Sequence, residues 1–233
     1  MKLTQRETLR SLLTMSLLFL VLVSLAWGTD EATDISKRLA ASAKVLDDVM
    51  ATPNKAIPDG VIKRATCVVV FPSTVQVAVL VGAKHGKGFA TCRTGGGWSA
   101  PAPLDVSGGS WGAQLGGQEV DLVLVVTNDK GLQQLVSGKT NLGTETSVTA
   151  GPVGNHEWKM NEDILTYARA RGAFAGFNLA GSAITQDEDD TRKLYGGPVS
   201  LSDILTGKTQ PAEVTQPFLQ DVERYAGRAK AKD

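Results

Sequence analysis

The stretch DVSGGSWGAQLGG, Asp105 to Gly117, decides between a hydrolase fold, in which strands alternate with helices, and a fold built on a curved sheet. Its first glycines and serine, GGSWG at Gly108–Gly112, match the G-x-S-x-G pattern of a nucleophile elbow. An elbow is a tight turn that joins a strand to a helix and exposes a catalytic serine. No helix fits before Gly116-Gly117, and the segment after Glu119 has the character of a strand. We therefore interpret the stretch as a glycine-rich bend within a sheet.

An esterase that uses Ser110 remains a third alternative. Asp121 or Asp129, and then His156, follow it in the chain order Ser, Asp, His, but so loose a match arises easily by chance. A hydrolase fold would also alternate strands with long helices, which this sequence does not do. We expect no catalytic residue, no cofactor and no metal site.

Short apolar, β-branched segments separated by turn residues make up most of the chain. Strands are predicted at Cys67–Phe71, Val75–Gly82, Gly86–Thr94, Asp105–Leu115, Val120–Thr127, Thr144–Ala150 and Ala173–Ile184, with a strand or helix at Asp163–Arg171. Helices are predicted at Asp34–Met50, Pro58–Lys63, 131–138, Ser200–Leu205 and Pro217–Ala229. This order predicts an α+β fold: a curved, partly closed antiparallel β-sheet or barrel covered by N- and C-terminal helices.

The N-terminus has the pattern of a secretory signal peptide. Lys2, Arg6 and Arg10 precede an apolar run at 12–26, which ends beside small residues and is short for a membrane span. We predict a signal peptide at 1–28, an amphipathic helix within 29–56 and one domain with a helical tail at 57–233. The protein is then exported, to the periplasm or the cell envelope.

The charge balance excludes one class of partner. Cleavage would remove Lys2, Arg6, Arg10 and Glu7, leaving 21 basic and 23 acidic side chains and a net charge of −2 with the histidines neutral. Since non-specific binding to nucleic acid needs a strongly basic surface, we expect no nucleic-acid partner. Any site for an anion must be a local cluster of basic residues.

Cys67 and Cys92 are the two cysteines of the chain. In an oxidising compartment an even pair is a disulfide candidate, while two buried free thiols are the alternative.

The predicted N-terminal helix also allows two interpretations. Ile35, Leu39, Leu46 and Met50 recur at helical spacing and form one apolar face. This face either enters a membrane interface or covers the core of the domain.

A separate acidic run, Asp187–Asp190, lacks the alternating ligands and central glycine of a calcium loop, so we interpret it as a solvated turn.

Many short segments, in order, resemble the SYLF domain, a lipid-binding family. The similar segments are Ile57-Pro58, Val68–Pro72, Gly86–Gly88, Gly97–Pro101, Gly112–Gly116, Asp121–Val125, Ala150–Gly154, Tyr167–Gly172, Gly181-Ser182 and Tyr195-Gly196. The resemblance implies phospholipid binding without catalysis. Some eukaryotic members bind phosphoinositides and some fungal members bind actin, neither of which an exported bacterial protein normally meets. The resemblance therefore implies an anionic phospholipid or a fatty acyl lipid at a membrane surface of the envelope.

Two groups of basic residues could hold a lipid headgroup. Lys84, Lys87 and Arg93 flank one predicted hairpin, and Arg169 and Arg171 precede the glycine-rich strand. Each such residue near a membrane surface contributes about 1 kcal/mol, so apolar insertion must add to their effect. A structural or partner-binding envelope protein is the second alternative, since exposed basic side chains are most often only solvated.

Overall fold

A computed structural model describes residues 33–52, 57–142, 148–150, 162–170, 173–174, 179 and 181–227. The predicted signal peptide lies outside these residues. The strands are β1 (Cys67–Thr94), β2 (Gly97–Trp98), β3 (Ala102–Val126), β4 (Lys139–Asn141), β5 (Val148–Ala150), β6 (Ile164–Ala170), β7 (Ala173–Phe174) and β8 (Ser182–Gln186). The helices are α1 (33–50), α2 (Asp59–Ile62), α3 (Asp129–Val136), α4 (Glu188–Tyr195), α5 (Leu201–Leu205) and α6 (Gln216–Ala226), with a 3₁₀ turn at Glu213–Thr215. None of the helices in the described part of the chain combines the length and the apolar character needed to span a bilayer.

Two very long strands replace the five short ones predicted for this region. β1 and β3 pair antiparallel from Cys67 opposite Val126 to Ala90 opposite Ala102, and we call this pair the ribbon. The predicted breaks after Phe71, after Gly82 and before Val120 were wrong. Pro72 and Ser73 occupy a bulge rather than a turn, because the register shifts by one residue there and Ser73 takes a φ of 57°. A bulge accommodates a proline, which has no N–H to give to the ladder.

β1 curls until its two ends touch each other. The Cys67–Cys92 disulfide joins them, with a Cα–Cα distance of 4.0 Å. Next to it the Arg93 amide donates a hydrogen bond of 2.8 Å to the Thr66 carbonyl. Gly88 lies so close to Val70 and Phe71 that a Cβ at this position would overlap their backbone. The predicted partly closed sheet is thus confirmed, and the disulfide is the alternative that the structure adopts.

The remaining strands extend the sheet from β3. β6 pairs with the last part of β3, and β8 pairs with its first part. β4 continues the sheet beyond β8, and β7 and β5 pair with β6. Among the strand pairs that the structure describes, the β5–β6 pair is parallel and the others are antiparallel, so the antiparallel sheet predicted from the sequence is confirmed with one short parallel addition at its edge.

Side chains alternate between two apolar cores, one on each face of the sheet. The inner, concave face carries Cys67, Val69, Phe71, Leu104, Val106, Leu122 and Leu124, and α3 and α5 pack against the same cluster. The outer face carries Val68, Val70, Phe89, Val123 and Val125 under α1, α2 and α6. This period of two is the pattern expected for a sheet that is covered on both faces.

The apolar face of α1 belongs to the outer core. Ile35, Leu39 and Leu46 are buried there, and the half-buried Met50 packs against the same cluster. In this structure the helix therefore covers the sheet, and these side chains are not available to a membrane. The physical reason is that Val68, Val70 and Tyr167 present an apolar surface, and the apolar face of α1 shields it from water.

We expect Gly88→Ala to disrupt the curl. Because β1 curls back on itself, we call the parts of the strand on either side of the bend its two arms, with Val70, Phe71 and Thr74 in the first and Lys84 and Gly88 in the second. The added Cβ would overlap backbone atoms of Val70 and Phe71 in the first arm, which cannot move aside without opening the sheet. The free energy of unfolding, measured with urea, should fall by about 3 kcal/mol. Gly109→Ala in the same ribbon is the matched control, because the nearest atom to its Cβ would lie 3.8 Å away. Equal stability of the two variants would contradict the close approach at Gly88.

Candidate functional site

An open groove of about 730 Å³ lies where β1, β3 and β6 meet, and we call it the Arg169 groove. Ser73 and Val75 line it from β1, Glu119 and Asp121 from β3, and Arg169 from β6. The backbone amide of Ser73 donates to Asp121 Oδ1 at 3.1 Å, so the β1 bulge forms part of its wall. Arg169, one of the predicted headgroup residues, thus lies in an open depression of the surface.

Arg169 in this groove is already neutralised by two carboxylates. Its Nη2 lies 2.7 Å from Asp48 Oδ2 of α1 and 3.3 Å from Asp121 Oδ2. Burial alone would lower the pKa of Arg169, but the hydrogen bonds that its guanidinium donates to Asp48 and Asp121, and the charges of these carboxylates, outweigh burial and raise that pKa. Hydrogen bonds from Lys44 and then from Arg169 lower the pKa of Asp48. Arg169 therefore ties α1 to the sheet, rather than offering a free charge to a headgroup.

Lys87 is engaged in a second ion-pair network. It lies on the outer face of β1, where its Nζ pairs with Asp187 and lies 3.6 Å from Asp190. Arg38 of α1 also pairs with Asp190. Burial would raise the pKa of Asp187, but hydrogen bonds from the Asp190 amide and from Lys87 hold it below its usual value.

The network corrects our interpretation of the acidic run. Asp187 accepts a hydrogen bond of 3.0 Å from the Asp190 amide and so caps α4. Asp187 and Asp190 are buried, while Glu188 and Asp189 are exposed. The run is therefore a helix start rather than a solvated turn, because an N-terminal turn places its first and fourth residues on one side, here against the sheet.

Arg93 holds the ends of two helices. Its guanidinium donates to the backbone carbonyls of Lys63, Ala65, Ala226 and Gly227. It also stacks on Trp98, with Cζ 4.5 Å from the ring centroid. Since the last carbonyls of a helix need donors, Arg93 caps α2 and α6, and its donor groups are committed to these carbonyls.

Lys84 differs from the other predicted basic residues because it lies on the inner face of the sheet. Lys84 is only 5% exposed, and burial lowers the pKa of its ammonium group. The fifth predicted residue, Arg171, lies outside the described residues. The structure therefore does not bring Lys84, Lys87, Arg93 and Arg169 together in one basic cluster.

Two exposed valines form a feature that the sequence analysis missed. Val75 and Val77 of β1 are 47% and 52% exposed, the highest values among the large apolar side chains that the structure describes. They lie on the outer face of the ribbon, where the sheet extends past the helices, and Val75 borders the Arg169 groove. The run VQVAVLVG is apolar at almost every position, so no alternation signalled which face meets water.

Ser110 lies in the middle of a continuous strand. It pairs with Gly82 of β1, and strand continues on both sides of it from Ala102 to Val126. The turn between a strand and a helix that a nucleophile elbow requires is therefore not found at this serine. His156, its suggested partner, lies outside the described residues.

Comparison with known proteins gives one family and several relatives. A family model described as "Ysc84: Las17-binding protein actin regulator" matches residues 107–225. Bovine and human (Bos taurus, Homo sapiens) proteins named SH3 domain-containing YSC84-like protein 1 are 31% and 30% identical over 194 residues, which is 77% of this chain. A Saccharomyces cerevisiae protein named LAS seventeen-binding protein 3 is 27% identical over 182 residues, 74% of this chain.

These relatives are longer proteins. The matched region is 57% of the bovine, 56% of the human and 39% of the yeast sequence. The chain thus spans little more than half the length of the animal relatives. No solved structure matches it significantly.

The Lys87–Asp187 pair should make the stability of the protein sensitive to acid. Because the folded-state pKa of Asp187 is lowered, its contribution is complete above the unfolded pKa of about 4 and is lost as the pH falls through the folded pKa. Asp187→Asn keeps a residue that caps helices well but removes the charge. We expect urea unfolding to show a loss of about 1–3 kcal/mol at pH 7 and a smaller difference from the natural protein at pH 3.5. Glu188→Gln, which changes the exposed neighbour, is the control; an equal loss for Asp187→Asn at both pH values would contradict this account.

Proposed function

This chain belongs to the Ysc84 family, which is the SYLF family, and we propose that it is a non-catalytic lipid-binding protein of the cell envelope. The family description and the yeast relative are named for binding, in keeping with a role without chemistry. The target that we propose is a membrane surface containing anionic phospholipid or fatty acyl lipid.

The observation that carries this proposal is the exposed apolar face of the ribbon. Val75 and Val77 project from the part of β1 that α1, α2 and α6 do not cover. Fully burying a valine side chain contributes about 1.5–3 kcal/mol. Two half-exposed valines therefore contribute on the order of 2 kcal/mol when they enter an interface. That is a weak attachment, suited to a protein that binds membranes reversibly.

The basic residues contribute less than the sequence suggested. Lys87, Arg93 and Arg169 have partners inside the protein, either carboxylates or backbone carbonyls. To hold a headgroup they would have to give up these partners. The proposed attachment therefore rests on apolar contact first.

The disulfide supports export of the protein. Cys67 and Cys92 are bonded and buried at the closure of the curled sheet. Structural disulfides persist in oxidising compartments and are rare in the cytosol. Together with the basic and apolar N-terminal sequence, this supports a location beyond the cytoplasmic membrane.

A second candidate function is binding to a protein partner. The family description names a protein ligand, and the yeast relative is named for binding Las17. The same exposed face of the ribbon could dock a protein, because exposed apolar side chains serve both kinds of surface.

We expect replacement of Val75 and Val77 by aspartate to weaken membrane attachment strongly. The double variant removes the apolar contact and adds two charges that anionic lipid repels, so cosedimentation with phosphatidylglycerol/phosphatidylethanolamine vesicles should weaken at least tenfold. Val214→Asp is the matched control, because Val214 is also exposed, at 39%, but lies beside α6. The melting temperature of each variant reports whether it folds.

Three results would decide against this proposal. Equal vesicle binding by the double variant and the natural protein would exclude the ribbon face as the attachment surface. A stable complex with another protein, without vesicle binding, would favour the second candidate. Ester hydrolysis that Ser110→Ala abolishes would restore the esterase alternative.

A further inference from the structure

A group of buried polar side chains lies on the inner face of the curled sheet, apart from the exposed ribbon face. Lys84, Thr74 and Ser182 are 5%, 0% and 2% exposed. They come from the two arms of β1 and from the start of β8. We call these three residues the inner polar cluster.

The strand register places the three residues on the same face. Lys84 lies directly opposite Gly108 of β3, and Gly108 lies directly opposite Ser182 of β8. Residues that face each other across antiparallel strands project from the same side of the sheet. Val106 of the inner core is the next residue of β3 on that side, opposite Gly86 of β1.

Two glycines make room for the hydroxyl groups. A Cβ at Gly108 would lie 2.5 Å from Ser182 Oγ, and a Cβ at Gly86 would lie 2.5 Å from Thr74 Oγ1. Both hydroxyl oxygens therefore occupy space that any larger residue would fill. Lys84 lies between the two glycines in register, opposite one and two residues from the other along β1.

The hydroxyl groups carry the strongest signal of a ligand. Within the part of the chain that the structure describes, Thr74 Oγ1 and Ser182 Oγ are buried without a hydrogen-bond partner. Leaving a buried hydroxyl unsatisfied destabilises a protein, so native structures usually supply a partner. The two hydroxyls and the Lys84 ammonium can all donate hydrogen bonds, and an ammonium group can only donate them.

We propose that the inner polar cluster binds the oxyanion of a lipid, a carboxylate or a phosphate group. Lys84 supplies the positive charge, and the Thr74 and Ser182 hydroxyls donate hydrogen bonds to the oxygens. The low-polarity surroundings, with Val106 and Ile184 on the same face, strengthen these interactions. This inference rests on the proposed lipid-binding function and names the headgroup chemistry that the protein selects.

Native mass spectrometry with defined probes tests the inference. Oleate and dioleoyl phosphatidic acid should bind the natural protein and the control variant Lys63→Met, in which an exposed lysine is replaced. Lys84→Met should weaken the binding of both lipids by at least tenfold. The double variant Thr74→Val with Ser182→Ala should weaken it by about threefold to tenfold. Dioleoylglycerol, which has no oxyanion, should bind the natural protein and Lys84→Met equally. Equal affinity of the two proteins for oleate and phosphatidic acid would overturn the inference.

Inorganic phosphate distinguishes a lipid from a free anion. Binding of phosphate that depends on Lys84, without binding of either lipid, would overturn the lipid assignment. Vesicle cosedimentation of Lys84→Met separates this inference from the proposed function. If that variant attaches to vesicles normally and binds oleate as tightly as the natural protein, only the oxyanion site is wrong. If the natural protein does not attach to vesicles at all, the proposed lipid-binding function itself is wrong.

The melting temperature of Thr74→Val tests whether the Thr74 hydroxyl serves ligand binding or only the stability of the fold. Valine has nearly the shape of threonine and removes the unsatisfied hydroxyl, so the ligand-free variant should melt at the same temperature as the natural protein or higher. A lower affinity together with an unchanged or higher melting temperature supports a binding role. A lower melting temperature would show that the hydroxyl serves the fold, and would contradict the proposal.

Discussion

The closure of β1 upon itself is the contact on which the rest of the structure depends. Gly88 packs against the backbone of Val70 and Phe71, and the Cys67–Cys92 disulfide locks the same two arms together. Because β3 pairs with β1 over nearly the whole length of both strands, it must curl with it. The curl creates the inner face that holds one apolar core, and it leaves the far part of the ribbon beyond the reach of the covering helices.

The basic residues of the sheet serve this architecture. Arg93 satisfies carbonyls at the ends of α2 and α6, Arg169 connects α1 to β6, and Lys87 connects β1 to the start of α4. Each of these side chains fastens a helix to the curled sheet. A charged residue that is committed in this way has little left to offer a membrane, since releasing it would leave a carboxylate or a carbonyl without its partner. The binding properties that we propose therefore come from apolar side chains outside and donor groups inside.

Much of the fold could be predicted from the sequence, because its signals are local. The spacing of Ile35, Leu39 and Leu46 predicts α1, and the glycine-rich ribbon predicts a strongly curved sheet, both confirmed by the structure. The predicted break after Phe71 was wrong because Pro and Ser are typical of turns but are also accommodated in a bulge, so Pro72-Ser73 does not indicate which of the two forms. The partners of Arg169 and Lys87 lie far away in the chain, so no local pattern could reveal them. The exposure of Val75 depends on where the covering helices end, which is also a tertiary property.

The most direct measurement of the central claim is a nuclear Overhauser effect spectrum of the oxidised protein in solution. Closure places Gly88 against Val70 and Phe71 of the same strand, although they lie far apart along it. If the strand closes in this way, strong cross-peaks are expected between the Gly88 Hα protons and the backbone protons of Phe71, alongside those of the β1–β3 ladder. A spectrum with the complete ladder but without any cross-peak between the two arms of β1 would contradict it.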